Sequence, residues 1–201
     1  ESEQAYTEFL KDKFCDVAVI KYPKETGLFD RAEDRFKKDP SYRDYTDVID
    51  EVWFFFDVEI KDIAKWDRRY RTINWLRKLR KDKEIRVRLL MTTGCIEYWF
   101  MLHRKFYMPS LQTVAEKEKV IAELKVEEPL YEKGNRGITS KIARDYPVAV
   151  TNARRTVEKL LAEGLPGLED TDERNRWLQR KCLTFSNVYE AIEFLESLEK
   201  L

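Results

Sequence analysis

The feature that most constrains this chain is the apolar run Val52-Trp53-Phe54-Phe55-Phe56, closed by the acids Asp57 and Glu59. Five bulky apolar residues in a row fall far short of the ~18 that a membrane span needs. They are also too uniform for the solvated face of a helix. The segment 51–58 is therefore expected to be a central parallel strand, buried on both faces. Side chains two apart on a strand point the same way, so Asp57 and Glu59 share a direction where the strand ends. In open α/β sheets ligands bind beyond the carboxyl ends of the strands. Two acids there suit magnesium, which takes one or two carboxylates and keeps several waters. The plainer alternative is an acidic turn in which Asp57 caps a loop.

Charge sharpens the pattern. The 201 residues carry 38 basic and 38 acidic side chains, yet the balance is uneven along the chain. Residues 1–60 hold 9 basic and 16 acidic groups, and residues 61–88 hold 12 basic and 4 acidic. A cationic segment thus follows the strand-end acids, with Trp66, Tyr70 and Trp75 interleaved. Cations with interspersed aromatics are the footprint of a phosphate-backbone partner, and Lys61, Lys65, Arg68, Arg69, Arg71, Arg77 and Lys78 are the candidate contacts. The alternative is a solvated helix face. The three widely spaced cysteines, Cys15, Cys95 and Cys182, form neither a zinc pattern nor a disulfide framework, which points to a reducing cytoplasm. A membrane partner is not expected.

The pattern reads as alternating strands and helices, then helices alone. Ser2 is expected to cap a first helix, residues 15–20 to form a short β-branched strand, and residues 29–38 a helix stopped by Pro40. After the strand at 51–58, Asp62 is placed as the cap of a helix running to about residue 81. A third strand follows at 85–91, its alternating arginines suggesting a sheet edge or a ligand-facing surface. Residues 95–103 read as an apolar helix, and 111–124, 149–161, 173–180 and 187–198 as further helices. The expected fold is α/β, a parallel sheet flanked by helices over residues 1–104 with a helical region over 105–201. Because βα patterns open with a strand, a further strand is expected ahead of Glu1.

A second candidate lies in the apolar helix at 95–103, which carries Glu97. A carboxylate in such a helix is costly unless it pairs, ligates or stays protonated. His103, the single histidine, sits about 120° around the helix from Glu97. It is read either as a satisfied core histidine or as a group that orients substrate or leaving group. The turn 134–137 is either a plain loop or a phosphate contact. Phosphate-binding P-loops, dinucleotide fingerprints, nucleophile elbows and zinc-protease motifs do not occur.

At this point two segments resemble a known family. Residues 50–62, DEVWFFFDVEIKD, resemble the "DEVW..fDrDe" signature of RloB-like proteins, and 95–103, CIEYWFMLH, resembles their "CFExWLLLH" motif. Ser186-Asn187-Val188-Tyr189 and Ser2-Glu3-Gln4-Ala5-Tyr6 are similar to the family's C-terminal segment and to the residues after its "EG" turn. The resemblance implies a Toprim-fold module from bacterial anti-phage defence. In that module a glutamate after the first strand and a D-x-D pair after a later one hold Mg²⁺ (or Mn²⁺) for cutting DNA or RNA. Asp57 matches the first aspartate, and Glu59 stands in place of the second, one methylene longer. Glu1 lies near the glutamate, whose natural place is just ahead of residue 1. Glu97 would be a further acid. The resemblance also implies an AAA-type ATPase partner, and a homo-oligomer is a further expectation. The competing expectation is a degenerate Toprim module, a sensor or scaffold that binds a nucleotide signal or the ATPase.

Overall fold

A computed structural model describes residues 1–23 and 27–200. Among these, helices α1 (Ser2–Lys13), α2 (Leu28–Lys38) and α3 (Pro40–Arg43) precede strand β1 (Glu51–Val58). Helix α4 (Trp66–Arg77), strand β2 (Arg86–Thr93) and helix α5 (Ile96–Leu102) follow. The chain closes with α6 (Val114–Glu127), α7 (Arg136–Ala143), α8 (Tyr146–Lys159), α9 (Asp172–Lys181) and α10 (Tyr189–Leu198).

The two strands form the α/β protein's parallel sheet, flanked by helices. At their start the Arg86 amide donates to the Asp50 carbonyl, and just past their end the Gly94 amide donates to Val58. The offset is constant, as an unslipped parallel register requires. Beyond β2, Thr93 donates to the Phe185 carbonyl and Asn187 to Met91, so a bridge between Thr92 and Ser186 runs antiparallel along the end of β2. Burial along β1 alternates rather than covering both faces. Phe54, Phe56 and Val58 are buried, while Val52, Trp53, Phe55 and Asp57 are half-buried.

Contacts divide the chain into two compact units, and the division does not fall at residue 104. The first unit comprises Glu1–Tyr22, Phe55–Ile60 and Leu90–Leu201. In it α5, buried along its whole length, packs against α6 and α8, and α1 packs against α7. The helical residues after 104 therefore share a core with α5. The second unit comprises Pro23–Phe54 and Lys61–Leu89. There α2 packs against α3 and α4, and Phe29 stacks on Phe54 with ring centroids 4.0 Å apart.

Several sequence expectations shift for local reasons. Residues 15–20 are not a strand. The amides of Val17 and Ala18 fold back onto the Phe14 carbonyl, and Val19 is 92% exposed. β-branched residues make a strand only where a neighbour accepts the ladder. Ser2 is the first helical residue rather than the cap, which is Glu1. The helix at 62–81 is shorter than expected. Residues Ile60–Lys65 form a 3-10 turn, and the Asp62 carboxylate, held by Lys65 at 2.7 Å and Arg69 at 3.2 Å, caps nothing. Pro40 opens a short helix instead of only stopping one, with Asp39 accepting from the Ser41 amide at 2.9 Å. Residues 134–137 lead into α7, whose cap Asn135 accepts from the Ile138 amide.

Among the described residues no helix is long and apolar enough to cross a membrane.

Candidate active site

β1 ends on Asp57 and Val58, and the alternation that buries Phe56 and Val58 turns Asp57 to the opposite face. Phe55 shares that face, and its ring meets the edge of Tyr6 on α1. Glu3, one helical turn before Tyr6, acts on Asp57 electrostatically. Asp57 is half-buried as a residue, but its Oδ1 is cut off from water and has no hydrogen-bond partner. Burial, reinforced by Glu3, Glu97 and Glu59 and opposed by Lys133, raises its pKa to about 8. A carboxyl so placed keeps its proton near neutrality unless a cation compensates for the lost hydration.

Glu97 reaches the same place from β2. After Thr93 the chain turns at Gly94 with φ +78°, and an added Cβ there would stand 3.1 Å from Leu111 Cβ. Only glycine takes that conformation at no steric cost. Cys95 then caps α5 in extended conformation, and Glu97 lies in the first turn of the helix, where the helix dipole favours an anion. It is 1% exposed. Tyr131 Oη donates to Glu97 Oε1 at 2.8 Å, while Oε2 has no hydrogen-bond partner. Burial, Glu97 and Asp57 push the Cys95 thiol up to about 12, so it stands as a neutral thiol beside the acids. Arg104, seven residues after Glu97, does not pair with it but binds Glu128 and Asp145.

Glu59 is engaged differently: its carboxylate pairs with Lys117 of α6. The Lys117 stem lies 3.4 Å from the position a Gly94 Cβ would take, so its ammonium is held where both strands end. Glu1 turns away toward Gly134. From α1 it is Glu3 that bears on Asp57.

The structure uses His103 internally. Its Nδ1–H donates to the Trp99 carbonyl at 2.9 Å, which leaves Nε2 to accept from Tyr6 Oη at 3.2 Å. Burial lowers its pKa to about 3. Both nitrogens of a neutral ring are thus engaged inside an aromatic box of Tyr6, Trp99 and Phe100.

In the second unit, the cationic segment is largely tied up in pairs. Lys65 and Arg69 bind Asp62, Arg68 lies 3.2 Å from Asp30, and the Arg69 guanidinium stacks over Phe29 and Trp66. Arg77 donates to Asn74, and Lys61 is exposed. Arg71 and Lys78 are exposed, and among the described residues neither is ion-paired. Arg88 is not a ligand-facing cation. It is buried and makes a two-pronged contact with Glu51, at 2.9 and 2.7 Å.

Oxygen donors with open lone pairs suit a hard cation. Among the described residues no group of three or more His, Cys, Asp or Glu side chains is assembled to hold a metal ion. Asp57 and Glu97, each with one buried oxygen unpartnered, fit a cation that completes its shell with water and substrate. Sequence reasoning missed Glu3, Tyr131, Lys117 and Lys133. Glu3 was open to inference, because it shares the Tyr6–Leu10 stripe of α1. The other three sit in α6 and the following loop, and no spacing links them to the strand ends.

The molecule is thus an α/β protein with buried acids at the ends of a parallel strand pair. The family model for RloB-like proteins matches residues 1–195, and the chain belongs to that family. No curated protein and no solved structure matches it.

Proposed function

We propose that this protein is a Toprim-type nuclease that cleaves DNA or RNA phosphodiesters with Mg²⁺ or Mn²⁺ in bacterial anti-phage defence. The single observation that carries the reading is the carboxylate pair Asp57 and Glu97, each with one buried oxygen that has no hydrogen-bond partner. A buried polar atom without a partner costs about 1–3 kcal/mol, and such groups persist where function uses them. Asp57 and Glu97 would hold the cation, which would supply Lewis-acid polarisation of the phosphoryl oxygen when bound, while Glu59 stays paired with Lys117 beside them. Asp57, protonated near neutrality, must release its proton to become a ligand. Lys117 holds Glu59 in place and sets a positive charge at the strand ends. Exposed cations of the segment after β1, Lys61, Arg71 and Lys78 among them, would track the phosphate backbone. An AAA-type ATPase partner and self-association belong to the same proposal.

A second reading is a degenerate module that senses a nucleotide signal or scaffolds the ATPase. Its support is Glu59, whose carboxylate is already neutralised by Lys117. Incubation with plasmid, tRNA and single strands, with and without Mg²⁺ or Mn²⁺, separates the two. Metal-dependent cutting that Asp57→Asn abolishes supports the nuclease. Inactivity both with and without the ATPase partner rejects it.

A further inference from the structure

We propose that Tyr131 is the positioning residue of the acid pair, acting through Glu97. This inference rests on the reading of Asp57 and Glu97 as metal ligands.

A directed chain of hydrogen bonds carries it. The Gly134 amide donates to Ser2 Oγ at 3.1 Å, and Ser2 Oγ lies 3.5 Å from Tyr131 Oη, with Ser2 the donor because the Tyr131 proton goes to Glu97. Tyr131 then spends its one proton on Glu97 Oε1 at 2.8 Å. Bonds aligned donor to acceptor in this way polarise one another. A tyrosine hydroxyl is protonated near neutrality and a carboxylate only accepts, so Tyr131 is the donor in this bond.

The tyrosine is itself fixed. Its amide donates to the Glu128 carbonyl at 2.8 Å, the Glu128 carboxylate is held by Arg104 and Lys141, and its ring meets the edge of Phe100. A carboxylate in an apolar pocket with two open oxygens could turn either toward a cation. With one lone pair of Oε1 taken by Tyr131, Oε2 is the oxygen left fully open, buried and unpartnered. Glu97 is thereby set as a one-oxygen ligand before any cation arrives. Outer partners of this kind typically contribute 10–100-fold to metal affinity. A tyrosine buried only for packing would bring no such coupling.

The test is Mn²⁺ affinity of the full chain by calorimetry, for the parent, Tyr131→Phe, Glu97→Gln and the double variant. Tyr131→Phe, which keeps the ring, is expected to weaken binding about 10–100-fold. The double variant is expected to bind no more weakly than Glu97→Gln alone, because the tyrosine works through that glutamate. Parent-like affinity in Tyr131→Phe, or losses that multiply in the double variant, overturns the proposal. A parent that binds no Mn²⁺ overturns the metal reading first, and the role of Tyr131 with it. If Tyr131→Phe fails to fold, Ser2→Ala decides on the same readout: several-fold weakening supports the relay, and no change rejects it.

Discussion

Two buried charged clusters in the first unit have been treated in opposite ways. Around Arg174, itself 1% exposed, every donor is matched. Its guanidinium binds Glu190 at 2.5 and 3.2 Å, Asp170 at 3.3 Å, the Leu168 carbonyl at 2.7 Å and Asn175 at 3.0 and 3.3 Å. Asn187 joins the network by donating to Glu190 and by accepting from the Met91 amide at 2.6 Å, which ties the start of α10 to β2. At the strand ends, by contrast, Asp57 Oδ1 and Glu97 Oε2 are equally deprived of water and bonded to nothing. Asp57 and Glu97 are the only carboxylates among the described residues with a buried oxygen left open in this way. The Arg174 network is satisfied within the fold, and the acid pair keeps two open oxygens, the ones the proposed function assigns to a cation.

That contrast can be broken at either side. The largest effect on stability is expected at the satisfied cluster. Arg174→Ala leaves Glu190 and Asp170 buried without their cation and should cost about 3–5 kcal/mol in urea unfolding. A loss under about 1 kcal/mol would erase the distinction between the clusters.

Asp57→Asn should have the opposite sign. The folded pKa of Asp57, about 8 against an ordinary value of 3.8, means that the native state retains a proton the unfolded chain has lost. Its contribution to stability therefore falls as pH rises from about 4 to about 8, by at most about 1.4 kcal/mol per unit. His103 runs the other way. With a folded pKa of about 3 against 6.5, it favours the native state increasingly as pH climbs from 3 to 6.5. The two offset each other below pH 6.5, and only Asp57 acts above it. The parent should thus lose stability between pH 6.5 and 8, and Asp57→Asn should flatten that decline. A parent profile without the decline contradicts the burial of the acid.

Gly94→Ala is expected to cost about 1–2 kcal/mol, since φ +78° and the 3.1 Å approach to Leu111 both resist a Cβ. A parent-like melting temperature would show that the turn into α5 is not confined. Least affected should be Arg71→Ala and Lys78→Ala, within about 0.5 kcal/mol of the parent. Their effect should appear instead in nucleic-acid binding, as a salt dependence shallower by about one for each phosphate no longer neutralised.

How much of this could be read in the sequence depended on whether the signal was local. β1 and the acids at its end were legible, because an apolar run closed by i, i+2 carboxylates carries its geometry in its spacing. Glu97 was legible as a cost, since a carboxylate in an apolar helix demands a reason. Its partner, Tyr131, was not legible, because the 33 residues between them carry no periodicity that brings a loop tyrosine to α5. Residues 15–20 misled because composition specifies a strand's side chains but not the neighbour its amides need. The pairing of Glu59 with Lys117 was hidden for the same reason as Tyr131: it is made by tertiary packing of α6.

The most direct measurement is a Mn²⁺ titration of the parent and of Asp57→Asn at pH 7, by calorimetry in two buffers of different ionisation enthalpy. A protonated Asp57 that becomes a ligand must shed its proton. The expected result is binding accompanied by release of about one proton in the parent, with both absent in Asp57→Asn. Binding that survives Asp57→Asn unchanged, or a parent that takes up no divalent cation, contradicts the assignment of the strand-end acids as a metal site.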